Sequence, residues 1–497
     1  MKVLNIVEKA GSEISSVLKI GAFESLSFSD LRALAKNDPY ADIVLKALEY
    51  NKDDEVPLYD HQYKALYALA ELKDVLLIFP CGSGKSRVMS NGPTVVKLGF
   101  QLSQTQGCPV DVLPSVHNPL CIISCPLSSI MEDKILNEPK SKMLSMHGNL
   151  NKAGDEADDT LDESVLFLYG HPEGFTTMLG KELLESNEER IYLYVTDEIG
   201  SNIWGPGFRK LMSTVPGSLR VFSPSAPMLC LSATVGLLEQ EKVLRDLGMS
   251  NRKYVIIDSN PIRNHWLVAK LKRPSNQTGF EDKGGLEEML LGLYVDEFVS
   301  DPLGCRKAVI FCKHEEDLIK VYSMIEEKLG SVYKDMKSRP WVQYHSSLGR
   351  KTLSWIHQRL EASSGHQEIR LIISTYKLLM GVNLSEFSVA IFIRLVLGCQ
   401  NFIINNRYFR PPNNIPSLVQ GMGRVGRSSC YGSKWASAIV LYNEEDLKDN
   451  VPGMTNEMRV LLRSSGCLKK QLASHFGYCY QPSYEICCSS SECELSP

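Results

Sequence analysis

From residue 58 onward, short and continuously apolar runs alternate with longer amphipathic stretches. The runs are 75–79 (VLLIF), 120–124 (LCIIS), 165–169 (VLFLY), 191–195 (IYLYV), 228–231 and 254–257. Each lacks the polar alternation of a strand with one wet face. Strands buried on both sides by helices have this character, so the pattern predicts a parallel sheet. A polar, glycine-containing stretch, RPSNQTGFEDKGG (273–285), then breaks the rhythm. A second set follows at 308–312, 341–345, 369–374, 389–393 and 437–442. Residues 398–416 read as a long loop. From about 450 the pattern turns helical, and residues 1–50 read as short helical pieces. The predicted organisation is an N-terminal helical extension (1–50), two tandem parallel-sheet α/β domains (51–272 and 286–449) and a small helical subdomain (450–497).

Length and composition agree with that layout. At roughly 150 residues per domain, 497 residues suggest three domains. The chain is 43% apolar and 23% charged, with a formal net charge of −4. That balance is ordinary for a globular protein and gives no global basic field, so nucleic acid would have to be met by local grooves. The opening MKVLNIVEKAGSEISS reaches acidic residues before any long apolar core, which argues against a signal peptide. No run approaches the 18 apolar residues of a membrane span, so no membrane partner is expected. Of 14 cysteines, several lie inside apolar strands (Cys121, Cys125, Cys230, Cys312), as free thiols in a reducing compartment would. Cys467, Cys479, Cys487, Cys488 and Cys493 crowd the C-terminal end instead.

The stretch LLIFPCGSGKS (76–86) poses the first chemical question. The usual phosphate-loop spacing asks for glycine six places before the lysine, and Phe79 stands there. The physics still favours a phosphate cradle. Pro80 ends the strand, and Gly82 and Gly84, on either side of Ser83, let successive N–H groups turn inward. A helix opening after the loop offers its N-terminus to an anion. Lys85 would reach the β- and γ-phosphates, and the Ser86 hydroxyl would sit on Mg²⁺. A ligand-free strand-to-helix turn is the bland alternative.

A nucleotide hydrolase also needs an acid for the metal and another for water. The literal string DEAD (Asp155–Asp158) sits in a polar run with no strand before it, where carboxylates are solvated. The better pair is in IYLYVTDEIG. Asp197 and Glu198 end an apolar strand, the edge at which open α/β sheets bind ligands. There Asp197 would hold the metal and Glu198 would act as base. Further along, QGMGRVGR carries Arg424 and Arg427 on the second sheet. They would serve ATP only if the two domains close on it, and such arginines stabilise charge on the transferring phosphoryl group.

The ordered set of motifs over about residues 58–493 resembles superfamily-two helicases, and within them the RecQ family. FPCGSGKS is similar to that family's M/F-P-T-G-x-G-K-S, with Cys81 in the threonine's place. PLSSIMED (126–133) is similar to P-L-x-S-L-M-x-D. IWGPGFR (203–209) resembles the aromatic-rich loop after the acidic motif, and GCLKKQLASHFG (466–477) the C-R-R-x-x-L-x-x-Y-F-G that opens the zinc subdomain. The resemblance implies two RecA-like domains, ATP and Mg²⁺, and 3′-to-5′ movement on single-stranded DNA. It implies that Tyr59 and Gln62 contact adenine, that Gly82, Ser83, Gly84, Lys85 and Ser86 wrap the phosphates, and that Gln420, Arg424 and Arg427 complete the site. Trp204, Phe208 and Arg209 would meet DNA by stacking and charge, worth roughly 1–3 kcal/mol per stacked base. Ser374 and Thr375 would bind the phosphodiester backbone. Four thiolates satisfy Zn²⁺. Cys467, Cys487 or Cys488, and Cys493 match the family in order, and Cys479 is the candidate fourth.

Two departures bear on function. The acidic motif reads D-E-I-G, so Gly200 stands where the family carries a histidine. Hydrolysis does not need that histidine, but its coupling to movement does, which predicts ATPase activity weakly stimulated by DNA. Asn383 replaces an aspartate of a later motif. The expectation is an ATP-dependent 3′–5′ DNA helicase or translocase in repair or recombination, acting in the nucleus on single-stranded and duplex DNA. The alternatives are an ATP-gated nucleic-acid clamp that no longer unwinds, and an RNA helicase or RNA-dependent ATPase of the same superfamily.

Overall fold

The structure is a computed structural model. It describes residues 6–8, 25–53, 55–106, 118–126, 131, 135, 140–145, 150–151, 161–199, 215–272, 294–312, 315–345, 347–361, 368–375, 384, 387–393, 414–426, 436–442, 444–451, 454–480 and 488. Two compact units divide the chain, Met1–Pro261 and Ile262–Pro497.

The first unit is built on a nine-stranded sheet. Its strands are β1 (Ile6–Glu8), β4 (Asp74–Ile78), β5 (Leu120–Ser124), β6 (Ser141–Leu144), β7 (Leu150–Asn151), β8 (Phe167–Gly170), β9 (Ile191–Thr196), β10 (Met228–Ser232) and β11 (Tyr254–Asp258). A separate two-stranded ribbon pairs β2 (Ser25–Leu26) with β3 (Leu58–Tyr59). The spatial order is β1-β11-β4-β10-β9-β5-β8-β6-β7, parallel except at its two edges, where β1 and β7 run antiparallel. Central strands are buried along their whole length, as their continuous apolar runs require.

Helices α1 (Phe28–Ala35), α2 (Pro39–Tyr50), α3 (Asp60–Ala70) and α4 (Lys85–Thr105) cover one face. A Ser27 capping box opens α1, and the Asp38 carboxylate followed by Pro39 opens α2. Leu31, Val44 and Leu48 join the core beneath the sheet, so the N-terminal helices are part of this unit's core.

The second unit carries six parallel strands: β12 (Trp266–Lys272), β13 (Ala308–Phe311), β14 (Trp341–Tyr344), β15 (Leu371–Ser374), β16 (Val389–Phe392) and β17 (Ala436–Tyr442). Their order is β12-β17-β16-β13-β15-β14. The sequence pattern puts residues 266–272 in the first domain, but β12 pairs in register with the whole of β17, Trp266 facing Ala436 and Lys272 facing Tyr442. The division between units therefore falls at Pro261. Beyond β17, helices Asn456–Arg463 and Leu468–His475 pack at the β12 side, where Lys270 Nζ donates to the carbonyls of Leu461, Leu462 and Ser464. Cys488 forms an isolated parallel bridge with Val268. Among the described residues no helix is long and apolar enough to cross a membrane.

Candidate nucleotide site

Three neighbouring strands, β4, β10 and β9, end at the same edge of the first sheet. Ile78 is level with Ser232, and Phe79 N–H extends the ladder to the Ser232 carbonyl at 3.0 Å. Asp197 N–H continues β9 onto the Ser124 carbonyl at 3.0 Å. The Lys85 loop leaves β4 and the acidic pair leaves β9, one strand apart. At about 4.8 Å per strand their origins are about 10 Å from each other, a span a triphosphate with its metal fills.

The loop has the form of an anion cradle. Gly84 caps α4 at φ +78°, with no side chain to occupy the first N–H groups and no acid in the first turn to oppose an anion. The Lys85 ammonium donates to the carbonyls of Phe79 at 2.6 Å and Pro80 at 3.1 Å. Ser86 is exposed, and Cys81, in the family threonine's place, is buried.

Two side chains from the start of α3 set the direction of the loop's peptides. Gln62 accepts from Tyr59 N–H at 3.0 Å and donates to the Gly84 carbonyl at 3.0 Å. His61 lies over Phe79, centroids 4.0 Å apart and planes within 17°, and bonds the Ser83 carbonyl through Nε2 at 2.8 Å. A carbonyl only accepts, so Nε2 carries the proton. Carbonyl and N–H of one peptide point opposite ways. Pinning the carbonyls of Ser83 and Gly84 toward α3 therefore turns the N–H groups of Gly84 and Lys85 away from it. Burial lowers the His61 pKa to about 4; the bond to Ser83 opposes it, the charges of Lys85 and Lys64 add to it with less weight, and the ring is neutral at pH 7. Tyr59 extends the stack, 5.5 Å from His61. The motif reading names Tyr59 and Gln62 and passes over His61, because a lone histidine bonded to a backbone carbonyl has no spacing signature.

The acidic turn is tied as firmly. Asp197 Oδ1 accepts from Glu198 N–H at 2.9 Å. Glu198 takes φ +55°, a left-handed conformation that costs a non-glycine residue about 1 kcal/mol or more. Strain of this kind persists where its surroundings enforce it. Here Ile199 N–H donates to the Leu231 carbonyl, and the Ser232 hydroxyl donates to the Ile199 carbonyl at 2.6 Å while accepting from Thr234 N–H. Ser232 is a second residue the motif reading leaves without a role.

In the second unit Gln420 and Arg424 are both buried, at the end of helix Ile415–Met422 and in the turn after it. Arg424 Nε has no hydrogen-bond partner among the described residues. A buried guanidinium nitrogen without a partner is costly, and an anionic ligand would relieve it. Ser374 is fully buried, with the Tyr344 carbonyl 2.8 Å from its hydroxyl. A phosphodiester contact at this strand end thus rests on half-buried Thr375 rather than Ser374. Trp204, Phe208, Arg209, Gly200, Asn383, Arg427, Cys487, Cys493 and the DEAD string at 155–158 lie outside the described residues.

Fold and loop geometry together are those of an α/β protein with an anion cradle at the carboxyl edge of its first sheet. The family profile of DEAD/DEAH box helicases matches residues 59–243. The chain is 24% identical over 394 residues to ATP-dependent helicase wrn-1 of Caenorhabditis elegans, covering 75% of this chain and 33% of that protein. It is 22% identical over 331 residues to ATP-dependent DNA helicase RecQ of Haemophilus influenzae, covering 66% of this chain and 45% of that one. It therefore spans about a third to a half of these relatives. Mycobacterium smegmatis helicase Lhr, solved with ssDNA and AMP-PNP, shares the fold at TM-score 0.55 and 15% identity, over 89% of this chain and 50% of that one. The chain resembles RecQ-like superfamily-two ATP-dependent DNA helicases, and its two parallel-sheet units resemble the RecA-like helicase fold.

Proposed function

We propose that the chain is an ATP-dependent DNA helicase or translocase of RecQ type, moving 3′ to 5′ on single-stranded DNA in repair or recombination, in the nucleus. The observation that carries the reading is the pairing of a preset phosphate loop with a strained acidic turn at the same sheet edge, on strands separated only by β10. Tyr59 and Gln62 bind adenine, Lys85 binds the β- and γ-phosphates, and Glu198 accepts the proton of the attacking water. Ser86 and Asp197 are the residues that would hold Mg²⁺, whose charge offsets that of the phosphates when it is bound. Gln420, Arg424 and Arg427 act on the same triphosphate from the second unit. Trp204, Phe208, Arg209 and Thr375 meet DNA.

Zn²⁺ is part of the proposal, held by the C-terminal cysteines. Cys467 Sγ and Cys488 Sγ stand 3.8 Å apart. A tetrahedron with arms of about 2.3 Å has edges of about 3.8 Å. The Leu468 N–H also donates to Cys488 Sγ, as amides beside a zinc thiolate do. Among the described residues no group of three or more ligands is gathered; with Cys488 in place, Cys479 and Cys493 are the candidate remaining thiolates, Cys493 lying outside the described residues.

Steady-state ATP turnover with and without single-stranded DNA, for the wild type and Lys85→Ala, tests the reading. The wild type turns over ATP with modest DNA stimulation, because Gly200 lacks the coupling histidine, and Lys85→Ala does not. Wild-type turnover by Lys85→Ala would sink it. A 3′-tailed duplex separates unwinding from an ATP-gated clamp, and RNA in competition with DNA separates the RNA-dependent alternative.

A further inference from the structure

Gly426, the residue before Arg427, is held from both sides. It sits at φ +67°, and its N–H donates to the Phe387 carbonyl at 2.7 Å. Its carbonyl accepts from Arg263 Nη1 at 3.3 Å and from His265 Nε2 at 3.1 Å. Both donors come from the segment that leads into β12, about 160 residues earlier in the chain. That segment is itself fastened. The His265 carbonyl accepts from Ala436 N–H at the start of β17, and the Asn264 carbonyl accepts from Lys469 Nζ at 2.8 Å. Lys469 is fully buried, and its ammonium also donates to the Tyr480 hydroxyl at 3.1 Å and lies 5.4 Å from that ring's centroid. A buried ammonium is expensive unless it is hydrogen-bonded, and one of the bonds that hold it here fixes a backbone carbonyl of the segment entering β12. The helix that carries it begins at Cys467 and Leu468, which touch Cys488.

We infer that Lys469, acting through Asn264, Arg263 and His265, is a positioning residue for the turn that carries Arg424, so that the C-terminal helix sets the geometry of Arg424. Turnover then depends on a helix that touches no nucleotide. The inference rests on the proposed role of Arg424.

The test compares Lys469→Met, His265→Phe and Arg424→Ala in the full chain, reading kcat for ATP, the Kd of a fluorescent ATP analogue and the melting temperature. Lys469→Met is expected to lower kcat at least tenfold with Kd unchanged within twofold. It should add no further loss in an Arg424→Ala background. A folded Lys469→Met with wild-type kcat, beside a slow Arg424→Ala, overturns this inference alone. Wild-type kcat in Arg424→Ala overturns the reading beneath it. Should Lys469→Met fail to fold, His265→Phe keeps a ring of similar size and loses only the donor, and the same outcomes decide.

Discussion

The two units anchor their candidate catalytic loops over very different distances. In the first, the carbonyls of Ser83 and Gly84 are fixed by His61 and Gln62, 22 residues earlier. In the second, the Gly426 carbonyl is fixed by Arg263 and His265, 163 and 161 residues earlier. A cradle of backbone N–H groups is completed by a neighbouring helix. A loop that must present a charged side chain is braced from a distant strand entry and, behind it, from the C-terminal helix. The comparison teaches that nucleotide binding should survive damage to the second unit's bracing, while turnover should not.

The largest effect expected from that difference belongs to Arg424. Among the described residues its Nε is buried without a hydrogen-bond partner, and an anionic ligand would give it one. Arg424→Ala should slow ATP turnover by roughly 10³-fold, at the lower end for arginines that stabilise phosphoryl transfer. Binding of a fluorescent ATP analogue should change little. Lys85→Ala should instead lose binding and turnover together. Parallel losses of affinity in both variants would erase the distinction between the units.

Most of the sheet strands, and the acidic pair, were legible because their signals are local. IYLYV reads as a strand buried on both faces, as it is, and an acid pair at its end falls at the carboxyl edge of the sheet. WLVAKLK was not legible as the first strand of the second unit. It interleaves lysines with apolar residues, and only pairing with β17 and the cover of the C-terminal helices explain that mixture. β1, with three residues at a sheet edge, is too short for periodicity to register. His61, Ser232, Arg263 and Lys469 share a different reason. Each bonds a backbone carbonyl, and every residue type has one, so no spacing betrays the pair.

Gly84→Ala attacks the local anchor with the next largest effect. At φ +78° an alanine is strained by about 1–2 kcal/mol. Its Cβ would also collide with Gln62 Nε2, forcing off the side chain that holds the Gly84 carbonyl. Affinity for ATP should drop by roughly 100-fold, the sum of that strain and one lost hydrogen bond. His61→Phe is gentler, because the ring still stacks on Phe79 and only the Nε2 donor disappears. A loss of roughly fivefold in ATP affinity is expected, in line with one net hydrogen bond. Titration with the fluorescent analogue measures both, and an unchanged affinity in His61→Phe would show that the Ser83 peptide needs no external hold.

The smallest effect distinguishes the units by acid sensitivity. Burial lowers His61 and His171 in the first unit, and His265 in the second, from 6.5 to about 4. The unfolded chain takes up these protons near pH 6.5, whereas the folded chain does not until about pH 4. Between those values the unfolded state holds more protons, so stability is complete above pH 6.5 and falls as pH drops toward 4. Two such histidines against one, among the described residues, should make the first unit the more acid-labile. Asp74, whose carboxyl burial pushes up despite Arg220 at 2.6 Å, acts in the opposite sense within that unit. Removing a histidine isolates the effect from that opposition. Hydrogen exchange of the β4 and β9 amides, set against those of β13 and β16, should reveal a steeper loss of protection in the first unit between pH 7 and 5. His61→Phe should flatten that slope, and an unaltered slope would assign the acid sensitivity to groups other than this histidine.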